Sequence, residues 1–143
     1  MLVGTGVDYD EVHSFAKRLE IPEGLLKWTG ELTPQQVADQ MHKADALVLS
    51  SRYETYGVVL AEAAAVGLSI LSTPVGIAKE VGALIVPQEI AQNKPGTFAE
   101  FMETILWSNE YRVQRTDQIS KERFSADFIG KNLVAIYEQV QAR

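Results

Sequence analysis

Short apolar runs of β type alternate along this chain with segments of helical spacing, and that alternation narrows the folds open to it more than any other feature. The runs are Leu2-Val3, Leu25-Leu26-Lys27-Trp28, Ala46-Leu47-Val48-Leu49, Ser69-Ile70-Leu71-Ser72 and Leu84-Ile85-Val86. Strands separated by helices cannot pair as hairpins, so the pattern predicts a parallel sheet with helices on both faces: an α/β, Rossmann-like, doubly wound fold. At 143 residues the chain is the size of one domain with one core.

The helical segments carry their own punctuation. Tyr9, Val12, Phe15, Ala16 and Leu19 recur at helical spacing, and Pro22 with Gly24 closes that segment. Thr33, Pro34 and Gln36 supply an N-cap, a first-turn proline and a capping-box partner for a helix that turns Val37, Met41 and Ala44 inward. A helix after Gly57 is expected to stop at Gly67. Thr97 with Glu100 is read as the cap of another, bearing Phe98, Phe101, Ile105 and Leu106, and Gln92 to Gly96 as the one stretch with linker character. Ser125 caps the last helix, with a stripe of Phe128, Ile129, Leu133, Ile136, Tyr137 and Val140.

Composition removes several function classes. There are no cysteines, hence no disulfide framework and no thiolate metal site, and His13 and His42 fall on separate helices as ordinary helix-face residues. The formal charge of −6, with Lys and Arg scattered along the chain, opposes nucleic-acid binding. No apolar run approaches the roughly 20 residues of a membrane span, and Met1 precedes neither a basic patch nor a signal-type core. A cytoplasmic protein is expected, with peripheral membrane attachment of a longer enzyme left open. A small anion remains a permitted ligand, because a helix N-terminus binds phosphate through local N–H groups whatever the net charge.

The segment from Ser50 to Gly67 carries the chemistry. It leaves the carboxyl end of a predicted strand and enters a helix, where ligands bind in open α/β sheets. Glu54 projects from the loop. Glu62 is harder to place, since its helical neighbours three and four residues away are Val58, Val59, Ala65 and Val66, and an unpaired carboxylate on an apolar face is costly. Three readings stay open for it: a carboxylate satisfied by donors elsewhere in the fold, a catalytic acid of raised pKa, or an acceptor for the vicinal hydroxyls of a ribose. If the helix begins at Gly57, the N–H groups at Tyr56, Gly57, Val58 and Val59 have no partner within it and suit a diphosphate. Trp28 and Trp107 lie within apolar patterns and read as packing residues.

The run from Glu54 to Glu62 resembles the Glu-x7-Glu motif of glycosyltransferase family 4 and its relatives, with Glu54-Thr55-Tyr56-Gly57 in place of Glu-x-Phe-Gly. Leu2-Val3-Gly4-Thr5-Gly6 is similar to the family's strand and Gly-x-Gly turn, Trp28-Thr29-Gly30-Glu31-Leu32 to its next strand end, and Ala44-Asp45-Ala46-Leu47-Val48-Leu49-Ser50-Ser51 to its Ala-Asp-x-x-x-x-Pro-Ser segment. Thr73-Pro74-Val75-Gly76 and the stretch from Glu80 to Pro87 also fit, so nearly the whole chain is covered.

The resemblance implies that residues 1 to 143 are the donor-binding C-terminal domain of a retaining GT-B glycosyltransferase, lacking its first strand and helix because the chain opens inside a strand. A natural five-stranded domain beginning at Met1 is the other reading of that start. The donor implied is a UDP-, GDP- or ADP-sugar. Glu54, as the catalytic-site residue, would bind hydroxyls of the hexose and Glu62 the ribose. Backbone at Thr55, Tyr56, Gly57, Val58 and Val59 would meet sugar and diphosphate, Leu32 the base, and Gly4 and Gly6 would border the nucleotide. No metal and no further cofactor are expected. The family's basic diphosphate-gripping pair and its N-terminal acceptor domain are not in this chain, so the fragment is expected to transfer no sugar alone, and its last helix to expose surface that invites self-association.

Against the family pattern, Ser69 replaces a usual proline, Ile77 a second glycine and Lys79 a proline. The loop from Gly76 to Glu80 is accordingly expected to depend on the donor for its contacts and to be mobile without it. The competing classes are a noncatalytic α/β module for regulation or assembly, which retention of both Glu54 and Glu62 disfavours, and a flavodoxin-like signalling domain, for which Asp8, Asp10 and Asp45 make a poor acidic cluster.

Overall fold

A computed structural model describes residues 1–22 and 24–107, together with 125, 127, 128, 130, 131, 134, 135 and 138. It divides into two compact units, Met1–Gln40 and Met41–Arg143.

The first unit is built around helix α1, Tyr9–Arg18, which has Asp10 and Glu11 in its first turn and Lys17 and Arg18 in its last, the signs that suit the helix dipole. The side of α1 that packs is set by rings. Tyr9 stacks on His13 at 6.1 Å, and Trp28 meets both edge-on, at 5.7 Å from Tyr9 and 5.2 Å from His13. Val12, Phe15 and Leu19, the aliphatic and phenyl part of the predicted stripe, stay exposed.

The two strands expected here shrink to single bridges, Leu2 with Trp28 in parallel and Gly4 with Gly30 in antiparallel sense. Leu2 donates its N–H to Lys27 O at 2.8 Å and accepts from Thr29 N–H at 3.1 Å. Pairing goes no further as a ladder because Gly4 at φ 114° and Gly30 at φ 66° leave the extended region on both sides. The apolar runs had the composition of strands but end against glycines after two to four residues.

Helix α2, Pro34–Lys43, begins with the capping box expected from the sequence. Thr33 N–H donates to Gln36 Oε1 at 2.9 Å, and Gln36 N–H donates back to Thr33 Oγ1 at 3.3 Å.

The second unit holds the sheet. Strands β1 (Ala46–Leu49), β2 (Ser69–Ser72) and β3 (Leu84–Ile85) run parallel in the order β1-β2-β3. Leu47 lies opposite Ile70 and Leu71 opposite Leu84. The three later apolar runs therefore became the strands predicted for them. β2 is buried along its whole length, as a central parallel strand must be when helices cover both faces. Helix α3, Val58–Ala65, packs on β2 with Leu60 and Ala63 fully buried.

Gly67 at φ 75° ends α3 as predicted, in a Schellman motif: Leu68 N–H reaches Ala63 O at 2.9 Å and Gly67 N–H reaches Ala64 O at 3.0 Å. The main core joins Leu71, Val86 and Ile105 with flanking Ile90, Phe98, Phe101 and Leu106.

Residues 88 to 107 depart from expectation. They form two helices, α4 (Gln88–Asn93) and α5 (Pro95–Trp107), where a linker and a Thr97 cap were expected. Pro95 explains both changes. It forces Lys94 out of the α region, to φ −130° and ψ 69°, so α4 ends at Asn93, and its missing N–H makes it a natural first helical residue. Thr97 thus lies inside α5. Trp107, expected to pack, is 77% exposed at its end.

Phe128 N–H donates to Ser125 Oγ at 3.1 Å, the bond of an N-cap. Ile129, Leu133, Ile136, Tyr137 and Val140 of the last predicted stripe lie outside the described residues. Among the described residues no helix is long and apolar enough to cross a membrane.

Candidate functional site

The carboxyl ends of β1 and β2 carry the loop that reads as functional. Thr73 follows β2 and is fully buried, so its hydroxyl must find an acceptor; it donates to Ser51 O at 2.6 Å. Its N–H donates to Leu49 O at 3.1 Å, continuing the β1-β2 ladder one step beyond the strands. Gln88 Nε2, at the start of α4, reaches the same Ser51 carbonyl at 3.4 Å. The Ser51 hydroxyl donates to Glu54 Oε1 at 2.8 Å, a charge-assisted bond that holds the half-buried carboxylate over the turn.

Past Glu54 the chain enters α3 through Gly57, at φ 79° and ψ 62°. No side chain caps this end and no acidic residue occupies the first turn. The first N–H groups of α3 have no acceptor within the helix, and the positive end of its dipole is unopposed by any fixed carboxylate of the first turn. Thr55, Tyr56 and Val58 are exposed, Val59 is half-buried, and Gly57 is buried under its neighbours.

Glu62 lies one turn further on and is exposed, four residues after Val58, which is 61% exposed. The apolar neighbours three and four residues away therefore do not bury its carboxylate. Residues four apart share a face, and α3 turns Leu60 and Ala63 to the core while Val58 and Glu62 share an open face.

The segment after Thr73 folds back on this turn. Ile77 N–H donates to Tyr56 O at 2.9 Å, and a Cβ placed on Gly76, at φ 47°, would sit 2.2 Å from that same oxygen. Gly76 is therefore the residue that lets two backbones touch. The loop expected to take its contacts from a donor has its own: Ala78 N–H to Val75 O, Val81 N–H to Ile77 O and Ala83 N–H to Ala78 O, with Ala78 buried.

Glu54, Thr55, Tyr56, Gly57, Val58, Val59 and Glu62 thus lie on one loop-helix element of the second unit. Gly4, Gly6 and Leu32 belong to the first, where Gly4 N–H donates to Gly30 O at 2.8 Å and Leu32 is half-buried. Ser51 and Gln88 were not singled out from the sequence for these contacts, nor Thr73 for its hydroxyl. The signal available for Thr73 was a hydroxyl residue directly after the Ser69–Ser72 run.

Residues 1–107 match the family model described as Glycosyl transferases group 1. The chain belongs to that family. The chain is also similar to glycogen synthase of Mycobacterium tuberculosis, strains CDC 1551 / Oshkosh and ATCC 25618 / H37Rv, at 25% identity in each case. The similarity covers 97% of this chain and 33% of each relative, so the chain spans about a third of their length. The family assignment and the fold agree with what the resemblance implied.

Proposed function

We propose that this chain is the donor-binding part of a retaining hexosyl transferase that takes a UDP-, GDP- or ADP-hexose. The observation that carries the reading is the uncapped N-terminus of α3, bracketed by Glu54 held on Ser51 at its mouth and by exposed Glu62 one turn along. The helix end and its free N–H groups at Val58 and Val59 would take the diphosphate and stabilise the charge it gains as it leaves. Glu62 would accept from the ribose hydroxyls and Glu54 from hydroxyls of the hexose. The name of the glycogen synthase relatives supports a hexose as the transferred group. No metal enters this proposal, because the helix end serves the leaving group. The acceptor would be held by a separate domain and attack on the face the diphosphate vacates.

Calorimetry of the 143-residue chain against UDP, GDP and ADP tests the reading. One of them should bind weakly, with Kd on the order of 0.1–1 mM, and the chain alone should transfer no sugar from the matching nucleotide-hexose. A folded chain that binds none of the three would refute the donor site, and sugar transfer by the chain alone would refute its dependence on a second domain.

A further inference from the structure

We propose that Thr73 is a positioning residue for Glu54, acting through Ser51, and thereby sets how strongly the site prefers a nucleotide-hexose over the bare nucleotide. The inference rests on the assignment of the hexose to Glu54 made above.

Thr73 is wholly buried and every polar atom it has is engaged. Its N–H donates to Leu49 O, its carbonyl accepts from Ser72 Oγ and from Val75 N–H, each at 2.8 Å, and its hydroxyl donates to Ser51 O at 2.6 Å. The first three bonds belong to the strand end and its turn, whereas the hydroxyl is the link to the loop that carries Glu54. At Ser51 the two roles meet. Its carbonyl is held from below by Thr73, with Gln88 at a longer 3.4 Å, and its hydroxyl reaches forward to Glu54 Oε1 at 2.8 Å.

A glutamate side chain loses much rotamer freedom when it is fixed, among the larger losses of any side chain. Fixing it in the free protein removes that cost from the binding step. A serine can do so only if its own backbone is fixed, and Ser51 lies outside β1, where no ladder holds its carbonyl. The Thr73 hydroxyl supplies that restraint across 22 residues of sequence. Its effect should therefore appear only in ligands that carry a hexose for Glu54 to meet.

The experiment compares Kd for whichever of UDP, GDP or ADP binds with Kd for its hexose form, in wild type, Thr73→Val, Thr73→Ser, Ser51→Ala, Glu54→Gln and the Thr73→Val/Glu54→Gln double variant. Thr73→Val should lower the preference for the hexose form about three- to tenfold, within what one hydrogen bond to a charged group contributes. Bare-nucleotide affinity should stay within about twofold, Thr73→Ser should restore the preference, and Thr73→Val should add nothing to Glu54→Gln. A Thr73→Val variant with wild-type preference, equal loss for both ligands, or full additivity with Glu54→Gln would overturn the proposal. If Thr73→Val does not fold, Ser51→Ala carries the test with the same expected loss, and no loss overturns it. A Glu54→Gln variant that keeps the preference, or a wild type that binds no nucleotide, overturns the hexose assignment itself and this inference with it.

Discussion

Replacing Gly76 with alanine should lower stability by about 2–4 kcal/mol, because the added Cβ meets backbone that cannot rotate away. The carbonyl oxygen of Tyr56 would lie 2.2 Å from that Cβ and its carbon 2.6 Å away. Relief requires the two loops to part, which breaks the Ile77 N–H bond to Tyr56 O and unseats the turn leading into Gly57. The φ of 47° adds the ordinary cost of a left-handed residue, on the order of 1–2 kcal/mol. Gly57, at φ 79°, carries the same left-handed cost, but its added Cβ would meet a side chain and no backbone, the buried Leu60 at Cδ1 2.8 Å away, so Gly57→Ala should cost less than Gly76→Ala. Gly96 gives a control: nothing lies within 4 Å of its position in the first turn of α5. Gly96→Ala should be neutral or stabilising by up to about 1 kcal/mol. Denaturant midpoints of the three variants measure this. A Gly76→Ala midpoint equal to wild type would show that the two backbones are not in contact.

The two glutamates should separate by ligand. Glu62→Gln should weaken nucleoside diphosphate and nucleotide-hexose alike, because both carry the ribose. Glu54→Gln should leave the bare nucleotide nearly unchanged and lower affinity for the hexose form, with a matching loss in turnover of the complete enzyme. Hydrogen bonds to a charged acceptor contribute roughly 1.5–3 kcal/mol, so each loss should be about tenfold or more. The structure supplies a reason to expect that clean separation. Glu54 is fixed on Ser51 ahead of the helix, while Glu62 is exposed on the open face of α3 beside Val58, and among the described residues the two share no hydrogen-bond partner. The pattern in reverse, with Glu54→Gln losing the bare nucleotide, would exchange the two roles.

Local chemistry makes much of this legible in the sequence. The Thr33–Gln36 capping box and the Gly67 stop are decided within four or five residues, and both appear as expected. The three strands of the second unit were readable because Ala46–Leu49, Ser69–Ser72 and Leu84-Ile85-Val86 are short runs with apolar centres that alternate with helical segments, as the strands of a parallel sheet do. The first two runs failed because pairing also needs extended backbone on either side, which Gly4 and Gly30 deny. Residues 92 to 96 have the composition of a linker, but a proline both ends one helix and starts another, and Pro95 does both here. At the site, the loop and its glutamates were legible from the motif. Glu62's exposure was not, because neighbours at three and four residues say what shares a face but not whether that face meets the core. The Thr73–Ser51 bond joins the segments that follow two neighbouring strands, 22 residues apart in sequence, and nothing local announces it.

Binding of nucleotide at the entrance to α3 can be read by amide chemical-shift mapping of the folded chain with UDP, GDP or ADP. On titration with the nucleotide that binds, saturable shifts should be confined chiefly to the amides of Tyr56, Gly57, Val58 and Val59, with Glu62 and the contacting Ile77 following. Saturable shifts centred elsewhere, on α5 or around α1 for example, with residues 54 to 62 unmoved, would contradict it.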